Sequence, residues 1–541
     1  MNRADLSRRG ALLAGGALAA TALLPAPAEA WVASEAATTA GRVRGIFSGG
    51  AHIFKGIPYA ASTLATRFAA PAPIKPWRGV RPALQWPAEC PQYNPPATGD
   101  VGALFAVNNE YQAPQSEDCL ALNIWTPGLA DGVKRPVMVW LHGGGFTVGS
   151  GSSELYDGTR LAAKGDVVVV TLNHRLNLFG YLYLAELAPG ARFADSGNAG
   201  MLDIIAALRW LRDNIAAFGG DPGNITIFGQ SGGGAKVSTL LAMPAAKGLF
   251  HKAIVQSGPG VRAIEPADAG KITAEVLRRL ELTSRDIGKL ATLPTAQLAR
   301  ILAIKGNDAM GQLRLGPVVD GHNLPRHPFD PTAPTLSADV PLLIGSTADE
   351  TTTIFGAGDA TLFSLAWGDL EPRLRPFLGP LAADVVREYR AQSPDASPSR
   401  LYSAIMADYI MRRGTIEIAE RRAALGGAPT FVYWFSKGSP RFGGKFGAPH
   451  GIDIPYVFDN VDLARPLLGD GSDRYPLAEV CSAAWISFAR HGSPAVSTLP
   501  RWRPYTPIDR ATMILDDQSR LAVDPNPAIR GTLSTVPRWV F

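Results

Sequence analysis

The chain has 541 residues, of which 46% are hydrophobic and 18% charged, a composition that excludes a largely disordered protein and allows a large buried core. The formal net charge is only +5 and no basic run is interleaved with aromatics, so nucleic-acid binding is not expected.

Residues 1–30 read as an export signal. Ser7-Arg8-Arg9 precedes a weakly apolar stretch from Gly10 to Leu24, and Ala28-Glu29-Ala30 offers a small-x-small cleavage site. The paired arginines resemble a twin-arginine signal, although Ala11 stands where that signal usually carries an aromatic; a plain Sec signal is the alternative. Either route predicts a bacterial protein exported to the periplasm or beyond. The apolar stretch is short for a membrane span, and no later stretch reads as one, so stable membrane insertion is not expected. Residues 31–541 are then expected to form one catalytic domain.

Residues 31–60 alternate and carry β-branched residues between glycines, which predicts antiparallel strands at a sheet edge. Residues 61–118 are Pro-rich and irregular. Cys90 and Cys119 bracket a Pro/Gly/Asn-rich loop and form the natural disulfide pair in an oxidising compartment, whereas Cys481 lies in an apolar helical stretch and reads as a buried thiol. The runs Leu120 to Trp125, Val137 to Leu141 and Val167 to Leu172 are short and apolar, as buried strands are. Met201 to Phe218 is helical, with Leu202, Ile205, Leu208, Leu211 and Ile215 at three- and four-residue spacing. Further strands are expected at 225–228, 253–257, 342–345, 431–435 and 512–515, and a last helix near 478–489. Strands alternating with helices predict an α/β fold with a mainly parallel sheet. Residues 260–335 and 355–425 read as helix-rich insertions above the carboxyl ends of the strands.

The chemistry centres on Ile225-Thr-Ile-Phe-Gly-Gln-Ser231-Gly-Gly-Gly-Ala235, which reads strand, sharp turn, helix. Gly229, Ser231 and Gly233 fit G-x-S-x-G, a turn that pushes the serine hydroxyl out of the sheet and needs small neighbours. A serine nucleophile requires a base, an acid to orient the base, and donors for the oxyanion. His142-Gly143-Gly144-Gly145-Phe146 follows the 137–141 strand; its glycines leave backbone N–H groups unobstructed, and the N–H of Gly232 would add a third donor. His450, in the loop Gly447-Ala-Pro-His450-Gly-Ile-Asp453, suits the base; His322, His327 and His491 also follow the serine and stay open by spacing. The acid is expected after the 342–345 strand, where Asp349 and Glu350 stand side by side; residue chemistry does not choose between them.

These motifs, with Phe54-Lys-Gly-Ile-Pro-Tyr-Ala60, Glu117-Asp-Cys-Leu-Ala-Leu-Asn-Ile124, Asn214-Ile-Ala-Ala-Phe-Gly-Gly-Asp-Pro222 and His450-Gly-Ile-Asp-Ile-Pro-Tyr-Val-Phe458, resemble the type B carboxylesterase family over nearly all of residues 40–530. The resemblance implies an α/β-hydrolase fold, a mostly parallel sheet flanked by helices with helical insertions as a cap, and hydrolysis of a small carboxylic ester without metal or organic cofactor. It implies Ser231 as nucleophile, Glu350 as acid, His450 as base, Gly143, Gly144 and Gly232 as oxyanion hole, and Cys90–Cys119 as a disulfide. It also implies that Arg67 with Glu117 and Arg175 with Asp203 are structural ion pairs, and that Ser257 is a support residue near the triad. Two departures stand out: Gln230 replaces the usual Glu before the serine, and Gly232 the usual Ala after it. The loss of that negative charge, and the absence of tryptophan between Cys90 and Cys119, argue against a preference for cationic choline-type esters. A lipase or a polyester- or toxin-directed esterase with a lid loop is the alternative within the fold. A catalytically inactive binding protein is the alternative outside it.

Overall fold

The computed structural model describes residues 32–95, 97–106, 113–187, 192–304 and 313–538; the predicted signal at 1–30 lies outside them, as does part of the loop between Cys90 and Cys119. Its strands are β1 (Val32–Thr38), β2 (Gly41–Ser48), β3 (Ala51–Pro58), β4 (Val80–Pro82), β5 (Ala121–Thr126), β6 (Arg135–Leu141), β7 (Val168–Leu172), β8 (Gly220–Gln230), β9 (Lys252–Gln256), β10 (Leu342–Thr347), β11 (Thr430–Phe435), β12 (Thr512–Leu515) and β13 (Arg520–Ala522). They form a single sheet in the order β1-β2-β3-β5-β7-β6-β8-β9-β10-β11-β12-β13, with β4 paired to β2. From β7 to β12 every pairing is parallel. At one edge β1, β2, β3, β5 and β7 pair antiparallel, as the alternation in 31–60 predicts, with only the short β4 parallel to β2, and β13 closes the other edge antiparallel.

The parallel strands are buried on both faces because helices cover both. In β6 the side chains of Val137, Val139 and Leu141 enter one core, and Met138 and Trp140 enter the other. β7 does the same with Val168, Val170 and Leu172 on one side and Val169 on the other. That period of two is the pleat itself. Residues of the helix Ala199–Asn214 fill the first core, and residues of the helix Arg474–His491 fill the second. The helix predicted at 201–218 thus starts slightly earlier and tightens to a 3-10 turn at Ile215–Phe218.

A third apolar cluster is built from Leu370, Leu374, Leu378, Val385, Ile405 and Met406 together with Ile529 and Leu533. It is the helical insertion expected at 355–425, completed by a C-terminal helix, Pro527–Ser534, that the sequence pattern does not announce. The other expected insertion carries, among the described residues, the helices Pro266–Arg279, Ile287–Leu290 and Thr295–Leu302 in its earlier part. From Leu313 to Pro334 the chain runs without a helix; five prolines there remove backbone donors and forbid helical turns.

Candidate active site

β8 ends at Gln230 and a helix, Gly232–Leu240, begins two residues later. Ser231 fills the joint with φ 59° and ψ −126°, a region that only surrounding structure imposes on a non-glycine residue. Its N–H donates to Gln256 O at 2.8 Å, and its carbonyl accepts from Ala235 N at 3.0 Å. Close approach explains the flanking glycines: a Cβ on Gly229 would sit 2.5 Å from Leu141 O, and one on Gly233 would overlap the same oxygen.

β10 and the loop after β11 bring the other two predicted groups together. Glu350 is fully buried; its Oε1 accepts from Thr347 N at 2.8 Å and its Oε2 is hydrogen-bonded to His450 Nδ1. The neighbouring Asp349 faces elsewhere. Its Oδ2 accepts from Ala448 N at 2.8 Å, and Arg400 approaches at 3.4 Å. Burial raises the Asp349 carboxyl above its usual range, with Arg400 opposing. The two adjacent carboxylates that chemistry alone left open are therefore separated by direction: one holds the imidazole, the other holds the backbone of the loop that carries it.

Gln230, the residue before the serine, lies against the same imidazole, its Nε2 3.2 Å from Nε2 and 3.3 Å from Nδ1 of His450. Behind the ring, Asp453 is fully buried. Its Oδ2 accepts from Gln256 Nε2 at 2.9 Å and from Tyr433 OH at 3.0 Å, while Oδ1 has no partner. Burial pushes this carboxyl up to about 6, aided by the charge of Glu350.

The 142–146 loop passes over the serine: a Cβ on Gly143 would lie 3.1 Å from Gln230 O and 3.3 Å from Ser231 Cβ. Gly144 and Gly145 both have positive φ, 83° and 61°. Among the described residues the N–H groups of Gly143, Gly144 and Gly232 have no protein acceptor. Beneath the loop lies Lys236, fully buried, with Nζ donating to His142 O at 3.0 Å and Gly145 O at 2.9 Å. His142 is not near the base position. It stacks on His174 with ring centroids 4.8 Å apart, and burial draws both rings well below the usual imidazole range.

The remaining predicted residues fall outside this cluster. His322 is exposed beside Asp195 and Asp320, His327 pairs with Glu265, and His491 ends the helix Arg474–His491. Arg67 forms a buried two-point contact with Glu117, and Arg175 with Asp203, so both are structural pairs as expected. Ser257, with φ 48°, has a buried hydroxyl without a partner. Cys90 and Cys119 are not bonded to each other. Both are buried free thiols in side-chain contact, and Cys90 Sγ accepts from Leu176 N at 3.2 Å. Cys481 is buried, and burial pushes its thiol up.

A cavity of about 210 Å³ opens beside the residues that follow Glu350, lined by Thr351, Thr352, Phe363, Arg400, Tyr402 and Lys445. Phe355 and most of Leu401 to Tyr409 belong to the third apolar cluster. Among the described residues no group of His, Cys, Asp and Glu is placed to hold a metal ion, and no helix is long and apolar enough to cross a membrane.

Two of these site residues carried little sequence signal. Lys236 reads as one more position of a short helix; its only mark is a lone cation in an otherwise uncharged run after the serine. Asp453 reads as a loop residue within the His450 motif.

A sequence model described as "Carboxylesterase family" matches residues 32–528. The chain is 37% identical over 506 residues to the para-nitrobenzyl esterase of Bacillus subtilis (strain 168), covering 92% of this chain and 97% of that protein. It is 34% identical over 478 residues to the fumonisin B1 esterase of Sphingopyxis macrogoltabida, covering 86% and 83%. Among solved structures, a carboxylesterase of Geobacillus stearothermophilus matches with a TM-score of 0.80 at 37% identity, over 92% of this chain and 99% of that one. An esterase of anaerobic Clostridium hathewayi whose title says that it hydrolyses aliphatic aromatic polyesters matches with a TM-score of 0.74 at 32% identity, over 94% and 99%.

Proposed function

The chain belongs to the carboxylesterase family, has the α/β-hydrolase fold and is a carboxylic-ester hydrolase; from that premise we propose that Ser231, His450 and Glu350 perform two-step acyl transfer. The observation that carries this reading is the contact of Glu350 with His450 Nδ1. A carboxylate on Nδ1 fixes that nitrogen as the proton carrier and leaves Nε2 to accept the serine proton. His450 Nε2 takes the proton of Ser231 Oγ as Oγ attacks the ester carbonyl. The oxyanion is received by the N–H groups of Gly143, Gly144 and Gly232, which have no acceptor within the described protein. The imidazolium then protonates the departing alcohol. Water, deprotonated by the same Nε2, attacks the acyl-enzyme and releases the acid.

Residues 1–30 are read as a bacterial export signal and 31–541 as one catalytic domain. In an oxidising compartment the adjacent thiols of Cys90 and Cys119 would close a disulfide. Neutral Gln230 beside the base disfavours cationic esters. Relatives named for a para-nitrobenzyl ester and for a fumonisin, and a structural neighbour titled for polyesters, favour a second reading in which a bulky ester is the natural substrate.

The test is a para-nitrophenyl ester series from acetate to palmitate. A defined acyl-length optimum in solution is expected. Activity that climbs with acyl length and jumps at an interface supports the second reading, and no hydrolysis across the series overturns the first.

A further inference from the structure

Lys236 is a cation packed against the loop proposed to receive the oxyanion. Its side chain is fully buried, and a buried ammonium is costly unless its three donors are used. Its recorded partners are not carboxylates but two backbone carbonyls, His142 O at 3.0 Å and Gly145 O at 2.9 Å, with the Phe146 ring 5.5 Å away. The titratable side chains that face it are His142 and His174. Both Nε2 atoms are buried without partners, and both rings are held neutral by burial and by the Lys236 charge. No neighbouring group therefore replaces what the carbonyls supply.

Those carbonyls flank Gly143 and Gly144. The carbonyl of His142 belongs to the same peptide unit as the N–H of Gly143. A trans peptide points its C=O and N–H in opposite directions. Pinning the carbonyl toward the helix Gly232–Leu240 therefore fixes the N–H on the far side of the loop. Burial draws the Lys236 ammonium down to about 7; in its protonated form the donor also polarises the unit and strengthens its N–H. The second carbonyl explains the departure after the serine. Gly145 O is turned so far inward that a Cβ on Gly232 would overlap it. With Gly145 O held by Lys236, the usual alanine does not fit.

We propose that Lys236 is a positioning residue for ester hydrolysis, whose Nζ locks the carbonyls of His142 and Gly145 and so sets the Gly143 N–H for the oxyanion, with Gly232 as its steric counterpart. This rests on the acyl-transfer reading above.

The test measures kcat, KM and melting temperature of Lys236→Met, Gly232→Ala, the double variant and Ser231→Ala on para-nitrophenyl butyrate. Lys236→Met keeps side-chain length but cannot donate. Loss of oxyanion geometry predicts kcat down by about 10- to 100-fold with KM within about threefold, below the about 10²–10³ of removing one donor outright. Gly232→Ala alone is expected to lose at least about tenfold in kcat, because Lys236 stops the Gly145 carbonyl from retreating. The double variant, with that carbonyl released, is expected to lose less in kcat than the product of the two single losses. A kcat within threefold of wild type for Lys236→Met, or losses in the double variant that simply multiply, overturns the proposal. Should Lys236→Met not fold, Gly232→Ala decides: wild-type kcat overturns it. Ser231→Ala separates the two layers, since hydrolysis surviving in that variant sinks the acyl-transfer reading itself.

Discussion

Gln230 lays its side-chain amide across the imidazole of His450, its Nε2 3.2 Å from one ring nitrogen and 3.3 Å from the other. In the ring plane, a group so close to both nitrogens would collide with the carbon between them. The amide therefore sits over the ring face, where an N–H meets π density. A carboxylate at this place would favour the imidazolium and remove base from the resting enzyme. Gln230→Glu is expected to move the acidic limb of the pH–kcat/KM profile upward by about one unit. It should also raise kcat/KM for cationic relative to neutral esters. An unmoved limb contradicts the stacked geometry.

The two carboxylates after β10 should behave differently. Glu350→Gln is expected to lower kcat by about 10⁴ with little change in melting temperature, the cost of a base in the wrong tautomer. Asp349→Ala leaves Ala448 N–H unpaired and is expected to cost about 1–3 kcal/mol of stability, with kcat reduced no more than about tenfold. Comparing kcat and denaturation midpoints for the pair checks this.

Asp453 contributes a pH-dependent term to stability. Its folded carboxyl is raised from 3.8 to about 6, so between those values the native state binds more protons than the unfolded chain. Its contribution is present at low pH and is lost as pH rises through about 6. Relative to Asp453→Asn, wild type is expected to gain about 1 kcal/mol on going from pH 7 to pH 5. Urea denaturation of both proteins at the two pH values measures it.

Protein recovered from an oxidising compartment and then unfolded is expected to titrate with one reactive thiol, Cys481, and with three after reduction, because the thiols of Cys90 and Cys119 lie in contact. In that oxidised protein, Cys→Ser exchange at both positions is expected to cost about 3–4 kcal/mol, the loop entropy that a Cys90–Cys119 bond would remove from the unfolded chain. Three thiols before reduction would leave both groups as the free thiols of the present structure.

Much of this architecture was legible because burial on two faces leaves a plain mark. β6 is apolar without a break from Val137 to Leu141 and β7 from Val168 to Val170, and the alternation in 31–60 marks an edge with one exposed face. The cap was legible as helix but not as a packing arrangement, since amphipathic helices that cover one another leave no pairing signal. The helix-rich insertion expected at 260–335 gives way where five prolines stand from Leu313 to Pro334, since each removes a backbone donor. At the site, the G-x-S-x-G turn and the Gly-rich loop were readable because their backbone demands particular residues. The choice between Asp349 and Glu350 was not, because adjacent carboxylates at a strand end differ only in the direction they face. Lys236 was hidden for a related reason: a lysine in a short helix usually points to water, and only the fold turns this one inward.

The nucleophile remains the hinge of the mechanism. Wild type and Ser231→Ala would be assayed on para-nitrophenyl butyrate and treated with a fluorinated organophosphonate, with the labelled peptide located by mass spectrometry. A fall in kcat on the order of 10⁶, with a single adduct on Ser231 in wild type and none in the variant, is the expected result. Retained hydrolysis by Ser231→Ala, or an adduct on another residue, would contradict acyl transfer through Ser231.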